Sequence, residues 1–205
     1  MKIFPVYYFP PVSWFAAALH AGEIVLENWE HYKKQQYFNR MNILTPGKVL
    51  KLSIPVRKAK EYTPLVHRTI SYDWTWRKDH WKSLESAYRS SPYFEYYENR
   101  FAPFFSGETE SLSELNLLIL EQLREALAID LEWKMSDSFH GSAYYSVDYR
   151  QEFDSKRERW PSWFHPAPYQ QVFGNEFVPD LSIFDLLCNC GPESVRILRE
   201  SYVGK

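Results

Sequence analysis

The order of the secondary-structure signals along the chain is the feature that most restricts its fold. Short β-prone segments dominate the first third, and helical patterns dominate the residues after Thr75. Strands that come first and helices that follow are typical of an α+β domain rather than of a regular alternation. A chain of 205 residues has the length of one domain. We therefore predict a single α+β domain over residues 1–205, with a mixed sheet of N-terminal strands covered by helices from the second half.

A β-hairpin is the clearest local signal. Tyr37–Leu44 and Lys48–Val56 are both β-prone, and Thr45-Pro46-Gly47 between them places a proline and a glycine side by side. Adjacent Pro and Gly between two strand patterns predict a tight turn. Further strands are predicted at Lys2–Phe9, Glu23–Glu27, Val66–Tyr72 and Asp130–Lys134.

Helix signals are mostly caps followed by apolar residues at helical spacing. Ser111 and Glu114 form a capping box, and Ser182 offers an N-cap to a short helix that reaches Asn189. Ser13 is predicted to cap the one early helix. The predicted helices are Ser13 to His20, Trp76 to Arg89, Ser111 to Leu127, Ser182 to Asn189 and Pro192 to Tyr202.

Charge and motif content exclude several classes of function. The 24 basic and 26 acidic residues give a net charge of −2, which argues against a general nucleic-acid-binding protein. The sequence has no Walker loop, no dinucleotide-binding glycine motif and no nucleophile elbow. Its 7 glycines are not clustered, so a phosphate cradle of backbone N–H groups is not expected.

The N-terminal apolar stretch resembles a secretory signal only superficially. Pro5, Pro10 and Pro11 would break the helix of such a signal, and no other apolar run approaches the roughly 20 residues of a membrane span. We therefore expect a soluble, cytoplasmic protein without a membrane span.

Cys188 and Cys190 lie one residue apart. This spacing is awkward for a disulfide and supplies too few ligands for zinc. We predict that both are buried or half-buried small side chains, and we predict no metal and no cofactor. A thiol hydrolase would need a histidine within hydrogen-bond reach of either cysteine.

The densest polar run, residues 27–40, lies between two predicted strands. Lys34 and Arg40 could hold a phosphate or a carboxylate, and Asn39 suits sugar hydroxyls or an amide. A solvated loop with local salt bridges is the alternative.

His80 lies on the same face of its predicted helix as Leu84 and Tyr88. A histidine at the edge of the core can act as a general base, or it can be a structural residue bonded to the backbone. Lys82 on the adjacent face is either an anion contact or a surface lysine. Likewise, the segment Trp160–Tyr169 is either an aromatic lid or a loop packed over the core.

Three ordered stretches resemble the WbqC-like family of bacterial proteins. They cover about residues 7–104 and 168–199, whereas residues 105–165 match weakly. The usual family opening has Gln-Pro where this chain has Val6-Tyr7, so no contact by that glutamine is carried over. The stretches are Tyr7-Tyr8-Phe9-Pro10 with Tyr32 to Ile43, Leu52-Ser-Ile-Pro55-Val56 with Trp76 to Phe94, and Pro179 to Glu193.

Members of this family are associated with gene clusters for surface polysaccharide (O-antigen). The resemblance implies a transferase that moves an aminoacyl or acyl group to an amino sugar or nucleotide sugar. His80 would be the catalytic base, Lys34 and Arg40 would hold an anionic donor, and a sugar- or nucleotide-linked small molecule would be the partner. The predicted substrate-binding residues are Tyr8, Trp14, Lys34, Asn39, Arg40, Lys82 and Tyr88.

A non-catalytic ligand-binding or assembly protein of the same pathway is the alternative function. A buried His80 held by backbone carbonyls would favour it, whereas a solvent-reachable His80 with a shifted pKa would favour catalysis. Exposed aromatic residues would equally form a dimer interface, so a homo-oligomer is left open.

Overall fold

The computed structural model describes residues 1–153 and 160–204. Helical turns of the 3₁₀ type join several of the regular elements. The strands are β1 (Lys2–Pro5), β2 (Ile24–Glu27), β3 (Arg40–Thr45), β4 (Lys48–Ser53), β5 (Trp133–Met135) and β6 (Val147–Asp148). The helices are α1 (Val12–Ala21), α2 (Trp76–Tyr88), α3 (Phe94–Phe101), α4 (Leu112–Leu127), α5 (Ile183–Cys190) and α6 (Ser194–Glu200).

A four-stranded parallel sheet forms the centre of the domain, in the order β5-β2-β1-β6. Ile3 pairs with Val25 on one side and with Asp148 on the other. All four residues of β2 are buried, as expected for a parallel strand that is covered on both faces. The predicted α+β class is confirmed, although this sheet is wholly parallel and takes both edge strands from the second half of the chain.

The predicted hairpin is confirmed. β3 and β4 pair antiparallel from Arg40↔Ser53 to Thr45↔Lys48 and form a sheet of their own. The turn consists of Pro46 and Gly47, and Gly47 has a φ of +79°. Glycine adopts this conformation at no steric cost, which explains why glycine occupies this position in the turn.

Two local predictions are wrong. The strand expected at Val66–Tyr72 is replaced by a 3₁₀ turn at Leu65–His67 and by isolated bridges, because its backbone finds partners in two different segments rather than along one strand. α1 begins at Val12 with Pro11 at the N-cap. Ser13 does not cap it, since its backbone N–H and hydroxyl both donate to the Asp180 carboxylate, at 2.7 and 3.0 Å.

The N-caps predicted at Ser111 and Ser182 are confirmed. The Ser111 hydroxyl accepts from the Glu114 N–H at the start of α4, and the Ser182 hydroxyl accepts from the Phe184 N–H at the start of α5. α2 occupies the predicted segment to within one residue.

The many aromatic residues form the core between the sheet and the helices. Phe184 on α5, for example, meets the edges or faces of Phe9 and Phe101 at 5.7 and 5.3 Å between ring centres. Trp163 and Phe164 are buried, so the centre of the segment Trp160–Tyr169 is a packed loop rather than a free lid.

The cysteine prediction is also confirmed, because Cys188 is buried, Cys190 is half-buried and both thiols are free. Across residues 1–153 and 160–204, no helix is both long enough and apolar enough to span a membrane.

Candidate functional site

Tyr8 and His80 are brought together in the core. The Tyr8 hydroxyl lies 3.0 Å from Nδ1 of His80, and both side chains are buried. Burial lowers the pKa of His80 from 6.5 to about 4, against the opposing effect of a backbone hydrogen bond to Ser53. The imidazole is therefore neutral at neutral pH and held by the fold. These surroundings favour a structural histidine, and its catalytic role stays a prediction.

Two more predicted residues bond to the end of the hairpin beside His80. Arg40 Nε donates to the Ser53 hydroxyl at 2.9 Å, and Asn39 Nδ2 donates to the Ile54 carbonyl at 2.6 Å. Ser53, at the end of β4, thus contacts both Arg40 and His80. The structure places Tyr8, Asn39, Arg40 and His80 in one neighbourhood, here called the hairpin group.

The remaining predicted residues lie elsewhere. Trp14 is enclosed in the core, with its indole N–H donating to the Pro5 carbonyl at 3.0 Å. Tyr88 is buried with its ring centre 5.6 Å from that of Phe184. Lys34 and Lys82 are exposed. Ring stacking by Trp14 would require the core to open, and the two lysines are surface side chains.

Charged side chains collect instead at the carboxyl edge of the parallel sheet. The chain runs from β1 through α1 to β2, which pairs with one side of β1. Strand β6 pairs with the other side of β1. In open parallel sheets, ligands bind outside the carboxyl ends of the strands where the order reverses in this way. Glu27 ends β2, Asp148 ends β6, and Arg150 follows two residues later.

Arg150 is fixed between two carboxylates. Its Nη1 donates to Oε2 of the fully buried Glu27 at 3.2 Å, and its Nε and Nη2 donate to the two oxygens of Asp148 at 3.0 and 2.7 Å. Burial raises the pKa of Asp148, but hydrogen bonds from Arg150 and Ser142 outweigh it and hold that pKa at about 2. This fork is therefore a rigid, charged support.

Glu30 is a side chain of this edge that is left incompletely bonded among the described residues. It is 4% exposed, and its Oε1 accepts from Lys33 Nζ at 3.0 Å and from Gln151 Nε2 at 3.2 Å. Its Oε2 is buried and has no hydrogen-bond partner within the described part of the chain. An unpaired buried polar atom costs about 1–3 kcal/mol, so its position needs an explanation such as a bound water, a bound ion or a catalytic role.

The charges around Glu30 also distinguish it from an ordinary surface glutamate. Burial raises the pKa of its carboxyl group, against opposing effects of Lys33 and Arg150. The residues named here as the carboxyl-edge cluster are Glu27, Glu30, Lys33, Asp148 and Arg150. They include three carboxylates and two cations, so the cluster favours an additional positive group.

Exposed aromatic rings surround the cluster. The Phe139 ring is 57% exposed, lies 4.9 Å from the Arg150 guanidinium and is parallel within 10° to the His31 ring. Tyr62, also exposed, lies 5.3 Å from His31 between ring centres. Such faces can pack against the apolar face of a sugar or against a planar ring.

The family model of the WbqC-like protein family matches residues 6–157 and 140–197. The chain belongs to this family. The match spans both the hairpin group and the carboxyl-edge cluster, so it does not distinguish between them.

One relative covers almost the whole chain. It is the "Uncharacterized protein Rv1507c" of Mycobacterium tuberculosis, 25% identical over an alignment of 218 positions that covers 94% of each protein. No solved structure gave a significant match.

The carboxyl-edge cluster is not predicted by the sequence as a unit. Glu27 and Glu30 lie in the polar run of residues 27–40, where the predicted contacts are the neighbouring Lys34, Asn39 and Arg40, and no sequence motif points to Asp148 or Arg150. A carboxylate that closes an apolar strand, as Glu27 does, was the available signal. Nothing local links Glu27 to Arg150, because 123 positions separate them along the chain.

Proposed function

We propose that the carboxyl-edge cluster is the active site of a transferase that moves an acyl or aminoacyl group onto the amine of an amino sugar or nucleotide sugar. The observation that carries this proposal is the buried Glu30 oxygen, which has no partner among residues 1–153 and 160–204 and lies at the switch point of a parallel sheet. The pathway, biosynthesis of bacterial surface polysaccharide, rests on the family resemblance described above.

Glu30 would serve as the general base. A raised pKa makes its carboxylate a stronger base than an exposed glutamate, which suits proton transfer near neutral pH. The excess of carboxylates over cations favours a protonated amine beside Oε2. The Lys33 ammonium group, 3.0 Å from the other carboxylate oxygen Oε1, is an example of such a contact with this side chain.

The transfer itself is an ordinary acyl substitution. Glu30 takes a proton from the substrate ammonium, and the freed nitrogen lone pair attacks the donor's carbonyl carbon. A C–N bond forms, and the bond from that carbon to the oxygen or sulfur of the leaving group breaks, with the electron pair going to the leaving group. The nitrogen then releases its second proton to the leaving group or to water, and an amide remains.

The surrounding residues have supporting roles in this proposal. Arg150 and Asp148 form a rigid support beneath the site. Glu27 connects this support to β2 through its hydrogen bond with Arg150. The exposed faces of Phe139 and His31 would hold the sugar ring. Positioning of this kind supplies a large share of the rate in bimolecular transfers.

A non-catalytic ligand-binding protein is the second candidate. The neutral His80, held by Tyr8 and the backbone of Ser53, favours it, because the residue predicted to be the base is built into the scaffold. This candidate keeps the carboxyl-edge cluster as a binding site for an amine and removes the chemistry.

The first test substitutes Glu30→Gln, which keeps the size of the side chain and removes its basicity. A thermal-shift panel of amino sugars, nucleotide sugars and acyl or aminoacyl donors identifies ligands, since a ligand at 100 times its Kd adds about 2.7 kcal/mol of stability. With the ligands found, transfer should fall by about 10²–10⁴-fold in Glu30→Gln.

Glu95→Gln, an exposed position on α3, is the matched control and should transfer at the wild-type rate. Full transfer by Glu30→Gln would overturn the assignment of the base. Binding of amines by the wild type without transfer to any acceptor would establish the second candidate instead.

A further inference from the structure

A recess lies beside the carboxyl-edge cluster, between the first turns of α4 and the β2–β5 edge of the sheet. Its volume is about 470 Å³, within the range of small-molecule sites. We call it the α4–β5 groove. Its lining includes Asn28, Val66, Ser113, Leu117, Leu118 and Trp133.

The walls of the groove are apolar and reach solvent. Leu118 is 48% exposed and Met135, at the end of β5, is 38% exposed. Apolar side chains at an open recess favour an aliphatic ligand, because each buried CH₂ group gains binding free energy.

Two polar atoms in the groove have no partner. Oδ1 of Asn28 and Oγ of Ser113 are buried and make no hydrogen bond within the described residues. Ser113 is only 3% exposed, so solvent does not readily satisfy its hydroxyl group. Buried polar atoms are rarely left in this state, and two of them in one recess point to a ligand that supplies the missing bonds.

The two atoms together define the chemistry of that ligand. The Asn28 oxygen accepts a hydrogen bond, whereas the Ser113 hydroxyl can donate one. An amide group offers both an N–H and a carbonyl oxygen. Glu114 and Glu121 also line the groove, so an anionic head group would be repelled.

We propose that the α4–β5 groove binds an aliphatic chain joined to an amide, with the chain against Leu117 and Leu118 and the amide at Asn28 and Ser113. Asn28 directly follows Glu27 and lies two residues before Glu30. If the proposed function holds, on which this last step rests, the groove receives the amide product after transfer at the carboxyl-edge cluster, with its acyl chain against Leu117 and Leu118.

The test uses butanamide, pentanamide and hexanamide as probes on the full chain. The chain has three methionines, so methyl NMR gives few signals. The Met135 signal should shift on titration, whereas Met41, which is fully buried elsewhere, should not. Affinity should rise about fourfold for each added CH₂ group.

Variants make the test specific. Ser113→Ala should weaken amide binding about fivefold through the lost hydrogen bond, with Ser83→Ala on α2 as the matched control. Leu118→Asp should abolish binding, whereas Leu118→Met should retain it. No Met135 shift, or an affinity independent of chain length, would overturn the proposal. A Met135 shift that follows protein concentration without any amide would also overturn it, because a second copy would then cover the groove.

The two proposals fail separately. Glu30→Gln should lose transfer and still bind hexanamide. If transfer depends on Glu30 but no amide binds beside Met135, the proposal for the groove fails and the proposed function stands. Amide binding in a chain that transfers nothing would support the groove as a binding site and overturn the transferase.

Discussion

His80 shows how one buried side chain couples stability to pH. Burial holds the folded-state pKa at about 4, below the usual 6.5, so the unfolded chain binds more protons between these two values. The neutral histidine therefore contributes stability that is fully present above about pH 6.5 and is lost as the pH falls towards 4. A difference of this size corresponds to about 3 kcal/mol.

We predict that His80→Gln removes most of this pH dependence. Glutamine can still hydrogen-bond to Tyr8 but does not titrate. Urea unfolding at pH 4.5, 5.5 and 7 should give a clearly flatter free energy of unfolding in the variant than in the wild type. The exposed His67→Gln should keep the wild-type slope, and an unchanged slope in His80→Gln would show that His80 does not set it.

At the scale of single elements, the hairpin turn gives a clean prediction. Gly47 has a φ of +79°, and a Cβ atom added there would meet nothing within 4 Å. Gly47→Ala should therefore lower the free energy of unfolding by about 1–2 kcal/mol through backbone strain alone. Gly47→Asn should cost less, because asparagine tolerates this region better.

Gly141→Ala is the matched control for the hairpin. Gly141 has a φ of −65° and the same free space around the added Cβ atom, so this change should not destabilise the protein. Chemical unfolding of the three variants measures the difference. Equal effects at Gly47 and Gly141 would show that the positive φ at position 47 is not what makes alanine unfavourable there.

Elements with strong local signals were predictable in position, and elements defined by distant pairing were predicted poorly or not at all. The β3–β4 turn and the Ser111 cap of α4 are each encoded within a few neighbouring residues. The strand predicted at Asp130–Lys134 overlaps β5 only at Trp133 and Lys134, and β6 was not predicted. These strands of three and two residues are too short for a periodic pattern, and they are defined by their pairing with β2 and β1.

The same distinction between local and distant contacts applies to the hairpin group and the carboxyl-edge cluster. Tyr8 and His80 were each candidate residues in the sequence, but no local pattern predicts the hydrogen bond between them, which comes from the fold. The carboxyl-edge cluster depends on the order of strands in the sheet, which no local pattern specifies.

At the scale of the whole molecule, the carboxyl-edge cluster joins strands that are far apart in the chain. Arg150, two residues after β6, bonds to Glu27 of β2, and the Ser136 hydroxyl, next to β5, donates to the same carboxylate at 2.8 Å. β1 lies between β2 and β6, so these bonds bridge the sheet at one end. The cluster therefore contributes to the stability of the fold as well as to the proposed site.

We predict that Arg150→Met destabilises the protein by about 3–5 kcal/mol, because it leaves the fully buried Glu27 carboxylate without its cation. Adding Glu27→Gln removes that stranded charge, so the double variant should be more stable than the sum of the two single changes implies. Urea unfolding of the wild type, both single variants and the double variant measures this coupling.

Arg196→Met on the exposed face of α6 is the control and should leave the free energy of unfolding unchanged. Strictly additive effects would mean that Arg150 stabilises the sheet edge through Asp148 alone and that Glu27 is satisfied by Ser136 and the backbone of Trp29.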